Sequence, residues 1–139
     1  MLLVFPDEGL LYVLNRIAGN YTDSADGLYW CIYTNDETPD RTTVLADLTI
    51  DSADFAPVQI DSTGLPTQGI ASDVGSIQGP AINFTNGGGS SVNCYGYAVL
   101  DSTQSFLVAA ARFDSAPISV ASGGALPVIP ILQSRSQEP

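Results

Sequence analysis

The sequence predicts an all-β fold, an antiparallel β-sandwich or a partly open barrel, preceded by one short amphipathic helix. β-branched and aromatic segments follow one another from residue 28 onward, and turn residues separate them at intervals of about ten residues. The chain has 139 residues. A domain of this size buries roughly 70% of its unfolded surface, which is enough for one core. We therefore expect a single domain over residues 1–132 and a polar tail over residues 133–139.

The helix is expected over about residues 8–18, where apolar side chains recur at helical spacing. Asp7 can cap the first turn, and Gly19-Asn20 is a stop signal. The apolar face consists of Leu10, Leu11, Val13, Leu14, Ile17 and Ala18.

The first predicted strand is Leu28–Thr34, which is rich in aromatic and β-branched residues. Its alternation places Tyr29, Cys31 and Tyr33 on one face and the intervening residues on the other. Strands are also expected at Thr42–Ile50 and Val58–Ile60.

Residues 61–83 are rich in Ser, Gly and Pro and hold only scattered apolar anchors. The strongest hairpin signal follows, with Val92–Leu100 and Ser105–Phe113 joined by a four-residue connection. Pro117–Val120 and Leu126–Leu132 complete the sheet. The last segment is an edge or irregular strand, because its two prolines cannot donate to a ladder.

The dipeptide Asp-Ser is expected to end strands. A short carboxylate accepts hydrogen bonds from the backbone two residues further on and so closes a turn. The dipeptide begins at Asp23, Asp51, Asp61, Asp101 and Asp114.

Composition excludes several classes of function. The chain has 15 acidic residues against 4 Arg, with no Lys and no His, for a formal charge of −11. Mechanisms that use imidazole or a lysine amine are therefore excluded. Nucleic acid and anionic membranes are poor partners for so acidic a protein.

The apolar start, Met1–Phe5, is too short for a secretory signal and lacks a basic residue before it. No stretch approaches the roughly 20 apolar residues of a spanning helix. We expect a soluble protein that is not exported.

Carboxylates are the remaining candidates for acid–base or metal chemistry. The densest acidic cluster is Asp36–Asp40, followed by Asp23 and Asp26. Both lie in hydrophilic loops and are interpreted as solvated turns. A calcium site is the alternative for either loop. A carboxylate-dependent hydrolase is the weakest candidate function. We predict no catalytic residue, no cofactor and no metal ligand.

The two cysteines, Cys31 and Cys94, lie in strand-like apolar segments. Two buried, reduced thiols are the favoured interpretation for a chain that is not exported. A Cys31–Cys94 bridge between two sheets is the alternative.

Tyrosines form the other candidate surface. Tyr29 and Tyr33 share a strand face by alternation, as do Tyr95 and Tyr97. These rings are interpreted as core or subunit interface. The alternative is a platform for sugar rings on an open sheet face.

The order of these segments resembles small β-sandwich proteins of tailed bacteriophages, which serve as capsid decoration (cement) or other virion accessory subunits. The segments that carry the resemblance are the helix Glu8–Ala18, Tyr33–Asp36, Leu45–Thr49, Cys94–Val99, Ala110–Phe113 and Val120–Gly124.

The resemblance implies a non-enzymatic decoration protein that is made in the host cytoplasm and lies on the capsid surface of a virion. It also implies a homotrimer at threefold positions whose partner is the major capsid protein. A carbohydrate- or receptor-binding module of a phage tail or fibre is the alternative. The apolar start and the proline-broken end are expected to reach across to a neighbour and extend its sheet. The candidate interface residues are Leu2, Leu3, Val4, Phe5, Tyr29, Tyr33, Tyr95, Tyr97, Val128, Ile129 and Ile131.

Overall fold

The computed structural model describes residues 3–4, 6–7, 9, 28–60, 68–71, 74–78, 81–129 and 131–135. These residues form twelve β-strands and one short 3-10 helix, Leu45–Asp47. The strands are β1 (Leu3–Val4), β2 (Leu28–Tyr33), β3 (Val58–Ile60), β4 (Gln68–Ala71), β5 (Val74–Gln78), β6 (Ile82–Thr85), β7 (Val92–Cys94), β8 (Gly96–Leu100), β9 (Leu107–Arg112), β10 (Ile118–Val120), β11 (Ala125–Val128) and β12 (Ile131–Arg135).

Every strand pairing in the described residues is antiparallel. A five-stranded sheet has the order β1-β9-β8-β2-β3, and a three-stranded sheet has the order β12-β5-β4. Two two-stranded sheets pair β10 with β7 and β11 with β6. The predicted all-β, antiparallel class is therefore confirmed.

The chain start lies against β9. Strand β1 pairs with β9 of the same chain, with Leu3 opposite Ala111 and Val4 opposite Ala110. A Cβ on Gly9 would collide with the carbonyl oxygen of Val108, so the backbone runs close to β9 at this point. The helix expected over residues 8–18 lies outside the described residues except for Gly9, so it stays a prediction.

Both faces of the five-stranded sheet are covered, because the alternating side chains of its strands enter two separate core clusters. The first core cluster contains the buried residues Trp30, Ile32, Phe55, Ile82, Phe84, Cys94, Tyr97, Val99, Val108, Ala109, Ala111, Phe113, Val120, Leu126 and Val128. The second core cluster, on the opposite face, contains the buried residues Cys31, Tyr33, Leu48, Ala98, Leu100, Leu107 and Ala110.

The alternation predicted for β2 is confirmed, since Cys31 and Tyr33 enter the second cluster and Trp30 and Ile32 enter the first. Strand β8 lies between β2 and β9 and is buried at all five positions. A strand buried on both faces requires apolar or small residues throughout, which matches its sequence Gly-Tyr-Ala-Val-Leu.

A buried asparagine joins the loop between β6 and β7 to the loop between β10 and β11. The side chain of Asn86 is 1% exposed, and its Nδ2 donates to the carbonyl oxygens of Ser90 and Val120, both at 2.9 Å. Its Oδ1 accepts from the N–H of Gly88 at 2.8 Å. The amide group is thus bonded at both its oxygen and its nitrogen, as a buried polar group requires.

The backbone of Asn86 continues this junction. Its N–H donates to the carbonyl oxygen of Gly124, and its carbonyl accepts from the N–H of Gly123. Gly123 has a φ of 74°, a left-handed conformation that glycine adopts without steric cost. The 51–55 turn joins the same junction, because the Asp54 carbonyl accepts from the N–H of Gly87 at 2.8 Å.

The hairpin predicted in the second half is confirmed as β8 and β9, with an irregularity in register between Val99 and Leu100. Its connection is organised by Asp101, whose carboxylate accepts from the backbone N–H groups of Ser105 and Phe106, both at 2.8 Å. It also accepts from the N–H and hydroxyl of Thr103. Burial would raise the pKa of Asp101, but hydrogen bonds from Thr103, Phe106 and Ser105 outweigh burial and lower it.

Asp51 uses the same device, since its carboxylate accepts from the N–H of Asp54 at 3.0 Å. Asp114 lies in the turn after β9. Asp23 and Asp61 lie outside the described residues.

The strand predicted over Thr42–Ile50 is wrong. The segment begins with a turn and continues into the 3-10 helix Leu45–Asp47. Side chains provide the reason, because they satisfy backbone groups that a ladder would otherwise use. The Asp47 carboxylate accepts from the N–H of Val44 at 2.9 Å, and Asn35 Nδ2 donates to the carbonyl oxygen of Asp47 at 2.8 Å.

Three other boundaries differ from the predictions. The segment with scattered anchors contains β4, β5 and the start of β6. Strand β4 pairs with its neighbour β5, whereas β5 also pairs with the distant β12 and β6 pairs with the distant β11. The expected strand Val92–Leu100 is interrupted at Tyr95, where β7 pairs with β10 and β8 pairs with β2. The last expected strand divides into β11 and β12, and β12 continues to Arg135, past the predicted start of the tail.

Pro127 lies in β11, which among the described residues pairs with β6 alone. It therefore occupies an edge strand, one of the two possibilities predicted from the prolines.

The two cysteines are free and buried, as expected. Cys31 lies in the second core cluster and Cys94 in the first, so no bridge joins them. Burial raises the pKa of the Cys31 thiol to about 12. Burial, with a smaller contribution from the Asp51 charge, raises that of Cys94 to about 11. Neither thiol forms a reactive thiolate near neutral pH.

We predict that Gly96→Ala destabilises the protein by about 1–3 kcal/mol, because overpacking a filled site forces its neighbours apart. A Cβ at Gly96 would meet the carbonyl oxygen of Ala111 and the ring of Tyr33. Urea denaturation measures the change. Gly89→Ala is the matched control, since a Cβ there meets nothing within 4 Å. Equal stability of the two variants would contradict the double burial of β8.

We predict that Asp101→Asn destabilises the protein by about 1–3 kcal/mol at neutral pH, because the carboxylate accepts bonds that an amide cannot reproduce. The pKa of Asp101 is lowered on folding. The stabilisation is therefore full above the ordinary aspartate pKa and is lost as pH falls through the folded value. Urea denaturation at several acidic pH values tests this.

The control for Asp101→Asn is Asp7→Asn, whose exposed pair with Arg41 contributes little. The difference in stability between wild type and Asp101→Asn should shrink on acidification. A difference that stays constant across the acidic range would contradict the assignment.

Candidate functional site

Three of the expected interface residues belong to the core. Tyr33 is 0% exposed, Tyr97 is 1% exposed and Val128 is 3% exposed. The ring of Tyr97 packs against Trp30, with ring centroids 5.6 Å apart. Their side chains are therefore unavailable to a partner in the folded chain, because all three are buried in the core clusters.

Tyr95 and Tyr97 do not share a face, contrary to the expectation from alternation. Tyr95 packs against the second core cluster and Tyr97 enters the first. The interruption between β7 and β8 explains this difference, because Tyr95 lies between the two strands. Tyr29 and Tyr33 do share a face, as expected.

The remaining expected interface residues are partly accessible or not described. Tyr29 and Tyr95 are half-buried, as is Val4 in β1. Ile129 is 47% exposed and is one of three large exposed apolar side chains in the described residues. Leu3 lies in β1 and Ile131 in β12. Leu2 and Phe5 lie outside the described residues.

Strand β1 already completes its own chain's sheet beside β9. In this structure Leu3 and Val4 are therefore not part of a free arm that crosses to a neighbour.

The clearest polar site surrounds Arg112 at the end of β9. Its guanidinium pairs with the Asp36 carboxylate at 2.6 Å and donates to the carbonyl oxygen of Glu37 at 2.9 Å. The guanidinium carbon lies 5.3 Å from the ring centroid of Tyr95, within cation–π range. Tyr33 also donates to the Glu37 carbonyl, at 3.2 Å. Arg112 thus fastens the acidic loop to the sheet.

The two buried tyrosines Tyr33 and Tyr97 both have raised pKa values. Burial raises the pKa of Tyr33 to about 12, against an opposing effect of the Arg112 charge. Burial alone raises the pKa of Tyr97 to about 12. Both phenols are neutral at physiological pH, and Tyr33 therefore acts as a hydrogen-bond donor.

The second half of the acidic loop is a hydrogen-bonded turn. The Asp40 carboxylate accepts from the N–H and the hydroxyl of Thr42, both at 2.7 Å. These bonds, with those from Thr43, lower the pKa of Asp40. A solvated, structured turn is what the sequence favoured for this loop.

A cleft of ≈ 270 Å³ opens beside Arg112. It brings a cation and a carboxylate together with apolar walls, but it holds no imidazole, thiol or lysine. The cleft can accommodate a small polar group or a peptide side chain. Its lining residues are Val4, Thr38, Pro39, Arg112, Phe113 and Asp114.

Within the described parts of the chain, no three His, Cys, Asp or Glu side chains come together as a metal site. The expected calcium alternative at Asp36–Asp40 gains no support there. The other candidate loop, at Asp23 and Asp26, lies outside the described residues.

The role of Arg112 could not be read from the sequence. Its partners Asp36 and Glu37 lie about 75 positions earlier in the chain, and only the fold brings them together. The one available signal is that Arg112 is one of only 4 cationic residues in the sequence.

Comparison with known proteins gives no relationship: no family model matches the chain, and no curated protein or solved structure matches it. Among the described residues, no helix has the length and apolar character required to cross a bilayer.

We predict that Arg112→Lys loosens the acidic loop, since an ammonium cannot reproduce both hydrogen bonds and the ring contact of a guanidinium. The loss of stability should be about 1 kcal/mol. Hydrogen exchange at the amide of Glu37, which donates to the Asn35 carbonyl at 2.8 Å, should become faster.

Arg41→Lys is the control, because the side chain of Arg41 is 79% exposed. If Glu37 exchanged at the same rate in Arg112→Lys and Arg41→Lys, Arg112 would not be holding the loop.

Proposed function

We propose that the protein is a non-enzymatic structural subunit of a tailed-bacteriophage virion, a decoration (cement) protein that reinforces the outer capsid. The observation that carries the proposal is that the prominent polar and aromatic side chains make contacts within the fold. Tyr33, Tyr97 and Arg112 bind loops and core to one another rather than forming an open reactive site. Such a molecule acts through its shape and surface.

The proposed architecture is a β-sandwich preceded by the amphipathic helix over residues 8–18. One face of the five-stranded sheet shares the first core cluster with residues of β6, β7, β10 and β11. This sharing supports a layer of short strands packed on the larger sheet.

The electrostatics favour adhesion over catalysis. A general acid at neutral pH needs a raised carboxyl pKa. In the described residues, the carboxylates with a clear shift are Asp40 and Asp101, and both pKa values are lowered. These groups remain charged and close turns.

The proposed partners are the major capsid protein and two further copies of this chain, arranged as a homotrimer at threefold positions. A formal charge of −11 would direct the subunit toward a locally basic shell surface. Exposed apolar side chains, such as Ile129, would provide contact area at the docked surface. Many weak contacts around a shell stabilise it by mass action.

The alternative of a carbohydrate platform is weakened by burial. Of the four tyrosines expected to bind sugar rings, Tyr33 and Tyr97 are in the core. Tyr29 and Tyr95 are half-buried and pack against the second core cluster.

The test is cosedimentation with capsids of the encoding virion that have been stripped of accessory proteins. We predict that wild-type protein sediments with them and that Ile129→Asp binds about tenfold more weakly, a loss of about 1.4 kcal/mol. Ser119→Asp, at an exposed position of β10, is the control for added charge.

Light scattering with and without capsids measures assembly into trimers. Failure of the wild-type protein to bind capsids, or turnover of a substrate that is lost with one aspartate, would refute the proposal.

A further inference from the structure

Asn86-Gly87 is the only Asn-Gly dipeptide in the sequence. In a flexible chain this pair is prone to deamidation, because glycine has no Cβ to hinder attack by its own backbone nitrogen. We propose that Asn86 is a latent deamidation site. The loops between β6 and β7 and between β10 and β11 prevent the reaction while they are hydrogen-bonded to each other, and Asn86 reacts when they separate.

The reaction is balanced without an oxidant or a reductant. The backbone nitrogen of Gly87 loses its proton and bonds to Cγ of Asn86, while the bond from Cγ to Nδ2 breaks and ammonia leaves. The resulting succinimide then adds water across one of its two ring C–N bonds. The products are an aspartate or an isoaspartate at position 86.

The nucleophile is held by the 51–55 turn. The N–H of Gly87 donates to the carbonyl oxygen of Asp54 at 2.8 Å. Hydroxide must remove this proton before the nitrogen can attack, so the hydrogen bond has to break first. The Asp54 contact therefore protects the reacting nitrogen.

The leaving group and the carbonyl under attack are held as well. Nδ2 of Asn86 donates to the carbonyl oxygens of Ser90 and Val120, and Oδ1 accepts from Gly88. These three bonds fix the orientation of the amide plane. Because Asn86 is 1% exposed, water is also kept from the site.

The reaction is expected to disable the junction permanently. A carboxylate at position 86 has no N–H to donate and would face the carbonyl oxygens of Ser90 and Val120. Buried acceptors left without donors are destabilising. An isoaspartate would also lengthen the backbone of the loop between β6 and β7. A molecule whose loops stay apart long enough for Asn86 to deamidate therefore cannot form the same hydrogen bonds again.

Opening of the loops is governed by local stability, so the rate of deamidation measures it. We expect Asn86 in the folded protein to react about a hundredfold more slowly than in a synthetic peptide of residues 80–95. At 1.4 kcal/mol per tenfold, that factor is about 2.8 kcal/mol of opening free energy. Peptide mass spectrometry after incubation at mildly alkaline pH quantifies both rates.

Two variants test the mechanism. Ser122 Oγ donates to the carbonyl oxygen of Gly88 at 2.6 Å, so Ser122→Ala should loosen the loops and accelerate deamidation about threefold to tenfold. Ser119→Ala, at an exposed serine of β10, is the matched control and should leave the rate unchanged.

Gly87→Ala tests the chemistry itself. A Cβ at this position lies 3.6 Å from the Asp54 carbonyl oxygen, an ordinary contact, so the fold is preserved while attack is hindered. Deamidation should slow in both the protein and the peptide. Equal rates in folded protein and peptide, or equal rates in Ser122→Ala and Ser119→Ala, would overturn the proposal.

Discussion

Burial of β8 on both faces is the constraint on which the rest of the structure depends. This strand lies between β2 and β9, and each of its side chains enters one of two core clusters. Space is limited on both sides, so Gly96 permits the approach of Ala111 and Tyr33 where any Cβ would collide. The same constraint draws Tyr33 and Tyr97 into the core, because they lie on β2 and β8, the two central strands that pair with each other. The aromatic residues that look available for recognition in the sequence are used for packing.

The ends of the short strands are held by small polar side chains rather than by long ladders. Asp101 closes the β8–β9 hairpin by accepting from three backbone N–H groups and one hydroxyl. The side chain of Asn86 connects two loops that are distant in the sequence, and the Asp47 carboxylate caps the start of the 3-10 helix by accepting from the N–H of Val44. Each of these residues satisfies backbone groups that would otherwise be unpaired in a compact fold. The consequence is a protein of many short strands that nevertheless keeps its loops in fixed positions.

Fixed loops and a filled core are compatible with the proposed adhesive function. Arg112, one of only 4 cations in a chain with 15 acidic residues, holds the loop around Asp36 and Glu37 against Tyr95. The positive charge of Arg112 therefore stabilises the acidic loop. The negative charge elsewhere repels other acidic surfaces. Under the proposed role, a rigid surface loses little conformational freedom when it docks onto a shell.

The sequence by itself determined the fold class, the two faces of β2, the β8–β9 hairpin, the burial of both cysteines and the turn at Asp101. All of these depend on alternation or on contacts between near neighbours in the chain. Only the tertiary structure decided that Tyr95 and Tyr97 face different clusters, that Thr42–Ile50 is not a strand, that β4, β5 and β6 exist, and that Arg112 meets Glu37. Several of those outcomes depend on groups far apart in the chain: β5 pairs with β12, β6 pairs with β11, and 75 positions separate Arg112 from Glu37. Local composition does not indicate which distant backbone group will complete a hydrogen bond, so the sequence pattern could not predict these long-range contacts.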